Sequence, residues 1–248
     1  MVMRHTRMLP GFLGAALALI VGSAAAQSGS PSRGPNIGPN PSTPLKISRI
    51  YWEYNSSADD LGVHVSLDGE DWKELKIVSP NRRTIFEVEG KGPYEELGMT
   101  ELFFEGAEPA LSDIPLDELL ARFPEGQYKF KGRYADGRKL TGVGALSYAI
   151  PDGPTNLSAV PGSDGSLVIS WDAVTVPPVG FPDRPLNIVG YQVIVEKFEV
   201  TVPGTTTSVT VSPEFVASLS PGPHAWEVLA IDESGNQTLR EGSLTITP

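Results

Sequence analysis

Ser166–Trp171 reads SLVISW and Gly190–Glu196 reads GYQVIVE. In the first run Leu167, Ile169 and Trp171 fall at every second position; in the second Tyr191, Val193 and Val195 do the same. A strand sends successive side chains to opposite faces, so period two places each apolar set on one buried face. Both runs are rich in β-branched and aromatic residues and lie between Gly, Asp and Pro turns, which is strand chemistry.

The same reading extends outward. Asn156–Val160, Phe198–Val202, Thr206–Val211, Pro223–Ile231 and Thr238–Thr245 join Ser166–Trp171 and Ile188–Glu196 as strand runs. About seven strands in about 95 residues is the count a two-sheet Greek-key sandwich needs. Ile150-Pro151-Asp152-Gly153-Pro154 separates this series from an earlier one. There Ile50, Trp52 and Tyr54 share a face, as do Val63, Val65 and Leu67. Asp68-Gly69 reads as a turn, making a hairpin whose Trp72 enters the core ahead of Leu75 and Ile77. Thr84–Val88, Glu101–Phe104, Gln127–Tyr134 and Leu140–Ile150 complete the series. Leu116–Arg122 differs: Leu116, Leu119 and Leu120 have helical spacing, Pro115 suits a first turn and Pro124 a stop. The pattern predicts an all-β chain of two tandem immunoglobulin-like β-sandwiches, residues 46–150 and 151–248, the first with a short helix near its penultimate strand.

Composition narrows the function classes. Over 248 residues, 40% hydrophobic and 20% charged excludes a multi-span membrane protein and a wholly disordered chain. With no cysteine there is no disulfide framework, no thiol nucleophile and no cysteine-ligated zinc or iron–sulfur site. Hydrophobic cores alone must hold the sandwiches. The net charge of −11 repels phosphate backbones, so no nucleic acid is expected as a partner.

Arg4, His5 and Arg7 precede the apolar run Leu9–Val21, and Ala24-Ala25-Ala26 supply a small-residue cleavage site. This is the three-part pattern of a secretory signal peptide, residues 1–26. Its apolar run of about 13 residues is short of the roughly 20 that span a bilayer. Cleavage before Gln27 removes two arginines and no acid, taking the charge from −11 to −13. Residues 27–45 read as a disordered linker, since 14 of the 17 residues of Ser28–Pro44 are Ser, Gly, Pro or Asn. The expected product is periplasmic or secreted, with no transmembrane segment after cleavage. The Ala-rich signal suggests a bacterium.

The second half carries a more specific pattern. Pro154 and Leu157 open it, and Trp171 ends its second strand. Tyr191, Val193, Val195 and Glu196 form its third. Leu219, Pro221 and Gly222 precede the alternation Trp226, Val228, Ala230, which runs into Asp232, Gly235 and Asn236. In this order and spacing, residues 154–246 resemble a fibronectin type III domain. The resemblance implies that Trp171 and Tyr191 fill the sandwich centre and that Asp232–Asn236 makes the last hairpin. One position departs: the family's corner tyrosine falls on His224. A ring N–H there would replace the hydroxyl, or the histidine would sense pH or bind metal. In the first half Pro124, Gly126 and Tyr128 more weakly resemble the turn into a penultimate strand.

Few residues offer chemistry. His64 and His224 are the only histidines after residue 26, and they lie in different halves. His64 alternates with Val63 and Val65, so it is expected to face solvent. No zinc-protease, nucleophile-elbow or P-loop motif is present. No catalytic residue, cofactor or metal ligand is assigned, although Asp59, Asp60, Asp68 and Asp71 would hold calcium if their loops converged. The long segment Asp172–Asn187, DAVTVPPVGFPDRPLN, sets Val176, Val179, Phe181 and Leu186 among four prolines. It would pack on its own core, lie against the first half, or present those side chains to a partner.

These features point to an exported, non-catalytic adhesion, scaffold or protein-interaction module with an unidentified protein or polysaccharide partner. A carbohydrate-binding accessory protein is the alternative, with Tyr51, Trp52, Tyr54 and Trp72 stacking sugar on an open face. An unrecognised hydrolase comes third.

Overall fold

The computed structural model describes residues 42–247. The expected signal peptide and residues 27–41 of the expected linker lie outside them. The chain is all-β: β1 (Ser42–Pro44), β2 (Ile47–Asn55), β3 (Asp60–Val78), β4 (Thr84–Glu89), α1 (Pro93–Leu97), β5 (Met99–Glu105), α2 (Leu116–Arg122), β6 (Gly126–Tyr134) and β7 (Lys139–Leu146) make the first half. The second comprises β8 (Thr155–Pro161), β9 (Leu167–Asp172), β10 (Ile188–Val195), β11 (Phe198–Pro203), β12 (Ser208–Val211), α3 (Pro213–Ser218), β13 (Gly222–Asp232) and β14 (Gln237–Ile246).

In the second half β14-β13-β10-β11 packs over the three-stranded sheet β12-β9-β8, a fibronectin type III-like arrangement. Leu167, Ile169 and Trp171 meet Tyr191, Val193, Val195, Trp226 and Val228 between the sheets. The Tyr191 hydroxyl accepts a hydrogen bond from Val174 N at 2.8 Å, so this core tyrosine also fixes the start of the long loop.

The first half departs from the expected hairpin at Asp68-Gly69. β3 runs on through 19 residues and serves both layers. Asp60–Asp68 pairs with β2, and β5 flanks the same stretch, while Glu74–Val78 lies between β4 and β6. Register shifts between Asp68 and Glu74 bend the strand from one sheet into the other, which is what bulges do. Gly69 is small because Leu45 packs against it. The expected linker also ends early: β1 pairs in parallel with β7, Leu45 N donates to Thr141 O at 2.8 Å, and Leu45 is buried.

Both halves approach their penultimate strand in the same way. α2 leads to Gly126 and Tyr128, whose hydroxyl donates to Pro124 O at 3.1 Å. α3, which no helical spacing announces, leads to Gly222 and His224, whose Nε2 lies 2.8 Å from Ser220 O. Each corner residue bonds the carbonyl four positions upstream. Each corner glycine has φ of 135°, a conformation open essentially to glycine alone.

The halves do not sit apart as two beads. β14 pairs in parallel with β2, through Gln237–Glu53, Thr238–Tyr54 and Leu239–Asn55, so one sheet runs from β5 through β11 across both halves. Facing partners share a side, so the two cores lie on the same side of this sheet. The join is also bonded by buried side chains. Asn236 Oδ1 accepts from Trp52 N at 2.9 Å, and its Nδ2 donates to Ser147 O at 2.8 Å and Ala149 O at 3.0 Å. Thr238 Oγ1 donates to Pro151 O. Replacing Asn236 by Ala leaves a buried N–H and two carbonyls unpaired, at about 1–3 kcal/mol for each group that water cannot reach. Asn236→Ala is expected to lose about 3 kcal/mol of stability and to split one unfolding transition into two, read by calorimetry.

Candidate functional site

The sheet shared by both halves has one face turned away from both cores. The register places Glu105 of β5, His64 of β3 and Tyr51 of β2 across that face, with Glu53 one step along and Gln237 beside it. His64 is not solvated: only 3% of its surface is exposed. The Tyr51 ring lies 5.3 Å from the imidazole, and Phe103 meets it edge-on at 5.9 Å.

Carboxylates surround this imidazole. Glu108 Oε1 is 2.8 Å from His64 Nε2, Glu105 Oε2 is 3.9 Å from the same nitrogen, and Glu53 Oε2 is 3.7 Å from Nδ1. Glu108 reaches the ring because its side chain lies over Gly62, where a Cβ would meet Glu108 Cγ at 2.5 Å. Glu53 is held by a hydrogen bond from Gln237. Burial pulls the His64 imidazole towards neutrality, but the bond to Glu108 and the charges of Glu53, Glu108 and Glu105 outweigh it and raise its pKa. Burial pushes the Glu53 carboxyl up. Asp60 rises to about 6, through burial first and then the charges of Glu108, Glu241, Glu53 and Asp59. On the second-half part of the face burial lifts Glu227 to about 7.

Alternation alone placed His64 and Glu53 on this face. What local pattern could not supply is Glu108, which follows β5 in an irregular stretch tied to β3 by Gly106 N to Val63 O and Leu61 N to Pro109 O. The expected calcium residues do not converge. Asp60 and Asp68 stand at opposite ends of one strand run, about 26 Å apart at strand rise.

The proposed sugar platform is corrected. Trp52 and Trp72 are core residues, Tyr54 is buried and Tyr51 is covered beside His64. The other two tryptophans, Trp171 and Trp226, are buried as well. None of these rings is presented flat to solvent.

The long loop is pinned from several sides. Asp152 N donates to Val176 O at 3.0 Å, Arg184 bridges Glu125 at 2.7 Å, and Asn187 N donates to Asp232 Oδ2 at 2.7 Å. Phe181 leaves its own half and packs on Tyr54, ring centres 4.8 Å apart. Leu186 is half-buried. Val176 and Val179 remain exposed, Val179 fully.

Lys76, Lys131, Arg133 and Lys139 line a shallow groove of about 330 Å³ on β3, β6 and β7 together with Glu74, and Lys76 pairs with Glu87 and Arg133 with Glu74.

No protein-family model matches the chain, and no curated protein matches it. Among solved structures it is similar to the spore cortex lytic enzyme SleM of Clostridium perfringens, at 22% identity and a TM-score of 0.31, over 39% of this chain and 28% of that one. It is also similar to the FN1–FN3 domains of chicken CNTN1, at 14% identity and a TM-score of 0.28, over 83% and 68%. A 1.5-MDa bacterial ice-binding adhesin gives 11% identity and a TM-score of 0.28, over 83% and 64%. Among the described residues no helix is long and apolar enough to cross a membrane.

The corner histidine has a pH signature. His224 Nε2–H bonds Ser220 O, while Nδ1 lies 2.8 Å from Glu196 Oε1. Both contacts are donations only in the imidazolium, so the backbone bond first and Glu196 second raise its pKa above the usual 6.5. Its contribution is complete below about 6.5 and is lost as pH rises through the folded value. Between pH 5.5 and 8.5 the wild-type melting temperature should fall by about 2–4 °C more than that of His224→Tyr, which carries a corner hydroxyl instead.

Proposed function

We propose that the protein is an exported, non-catalytic binding and scaffold protein of the bacterial envelope or cell surround, its second half a fibronectin type III domain. The observation that carries this reading is the pinned loop. Four prolines, the Arg184–Glu125 bridge and Phe181 on Tyr54 restrain it, yet Val176 and Val179 are left in water. A restrained apolar tip loses little conformational freedom on contact, so its burial converts more fully into affinity. The shared sheet gives that tip a firm base. The signal pattern of residues 1–26 supports export, and the partner is a protein with an apolar recess.

Val176→Asp with Val179→Asp should leave the melting temperature within about 2 °C of wild type, because both side chains are exposed. The double variant should lose the partner that wild type captures from the native envelope. Unchanged capture overturns the assignment of the loop. In the same cells the mature protein should begin at Gln27 by N-terminal sequencing; an intact residue 1 overturns the cleavage site, and recovery of the protein in the cytoplasmic fraction overturns the export reading.

A further inference from the structure

We infer that Glu53, His64 and Glu108 form a binding site for one divalent transition-metal ion, with zinc the best-fitting chemistry. Each residue offers one ligand atom, and the three atoms lie within 4.8 Å of one another. Ligands at about 2.05 Å in a tetrahedral site stand about 3.3 Å apart. One imidazole nitrogen serves one ion, so the ligand atoms, now spread over as much as 4.8 Å, have to draw together towards that spacing as the ion enters; Glu108 Oε1, 2.8 Å from Nε2, is already close.

The chemistry favours a transition metal over calcium. Calcium takes six to eight oxygens, whereas an imidazole with two carboxylates is a set that suits zinc, nickel or cobalt. The charge count points the same way. Glu53, Glu105 and Glu108 all face a single imidazole on a partly covered surface. A dication would place positive charge among these carboxylates.

The surroundings are those of a built site, beyond a chance meeting of acids. Tyr51 and Phe103 fix the imidazole plane from two sides. Gly62 makes the notch along which Glu108 lies. Gln237, from the second half, holds Glu53 from behind, as second-layer partners of metal ligands do. Glu105, more than half exposed and 3.9 Å from Nε2, stands at the open side where a fourth ligand or water would complete the set. Because Gln237 belongs to β14 and the ligands to the first half, the ion would add a bond across the join.

The test is calorimetric titration of the chelator-treated chain with zinc, cobalt and calcium chlorides, beside thermal melts. Expected are one zinc ion per chain, a raised melting temperature, no comparable response to calcium, and zinc affinity that falls as His64 is protonated on acidification. His64→Gln and Glu108→Gln should each weaken zinc binding about 10–100-fold. His64 is buried and its substitution risks misfolding, so Glu108→Gln is read alongside the visible absorption of the cobalt-loaded wild type. A four-coordinate cobalt spectrum that disappears in Glu108→Gln supports the site. Absence of saturable zinc binding to the wild type, equal binding by Glu108→Gln, or calcium binding as tight as zinc each overturns it.

Discussion

The buried amide of Asn236 is the interaction on which the rest of this structure depends. It is fully enclosed, and its one acceptor and both donors are used, all of them on first-half backbone. The hairpin it ends is shared further. Asp232 Oδ1 accepts from Ser234 N and Oδ2 from Asn187 N, which ties down the end of the long loop. Asp232 and Asn236 thus bind the last hairpin, the loop and the first half together. A buried polar group without partners costs free energy comparable to a lost bond, so this junction exists only in one register. That register then allows β14 to pair with β2, and the parallel ladder makes one sheet of two halves.

Much of this fold is legible in local pattern. Trp171, Tyr191 and Val193 sit in the core where period two puts them, and Leu116–Arg122 is helical as its leucine spacing predicts. The misses have physical causes. Gly69 looked like a turn residue because turns and close packing both select for a missing side chain, and here Leu45 needs the space. α3 has no apolar stripe to announce it and begins instead on a cap, with Ser212 Oγ accepting from Phe215 N. Ser42–Pro44 has a linker's composition, but β7 offers it an unpaired strand edge. The pairing of β2 with β14 joins residues about 185 positions apart, which no window of sequence contains.

The candidate site was legible in part for the same reason. Alternation sends Tyr51, Glu53 and His64 to one side of the sheet, and a single sandwich would have left that side in water. Its partial burial follows from the join, because Gln237 and Leu239 arrive beside Glu53 and Asn55 from the other half. Burial then changes the meaning of each polar residue. A histidine that would be a solvated strand residue becomes an enclosed imidazole among three acids, and a glutamate at position 227 is pushed up to about 7.

The placement of the tryptophans follows from the missing cysteines. Two sandwiches without a disulfide must gain their stability from packed area, and indole rings bury more of it than any other side chain. All four therefore go inside, two to each core. That choice leaves no tryptophan on the described surface, where Tyr94 is the most exposed of the large aromatic side chains. The acidic, partly covered sheet face and the two valines of the restrained loop both lie beside the join that Asn236 closes, and keep their geometry through it.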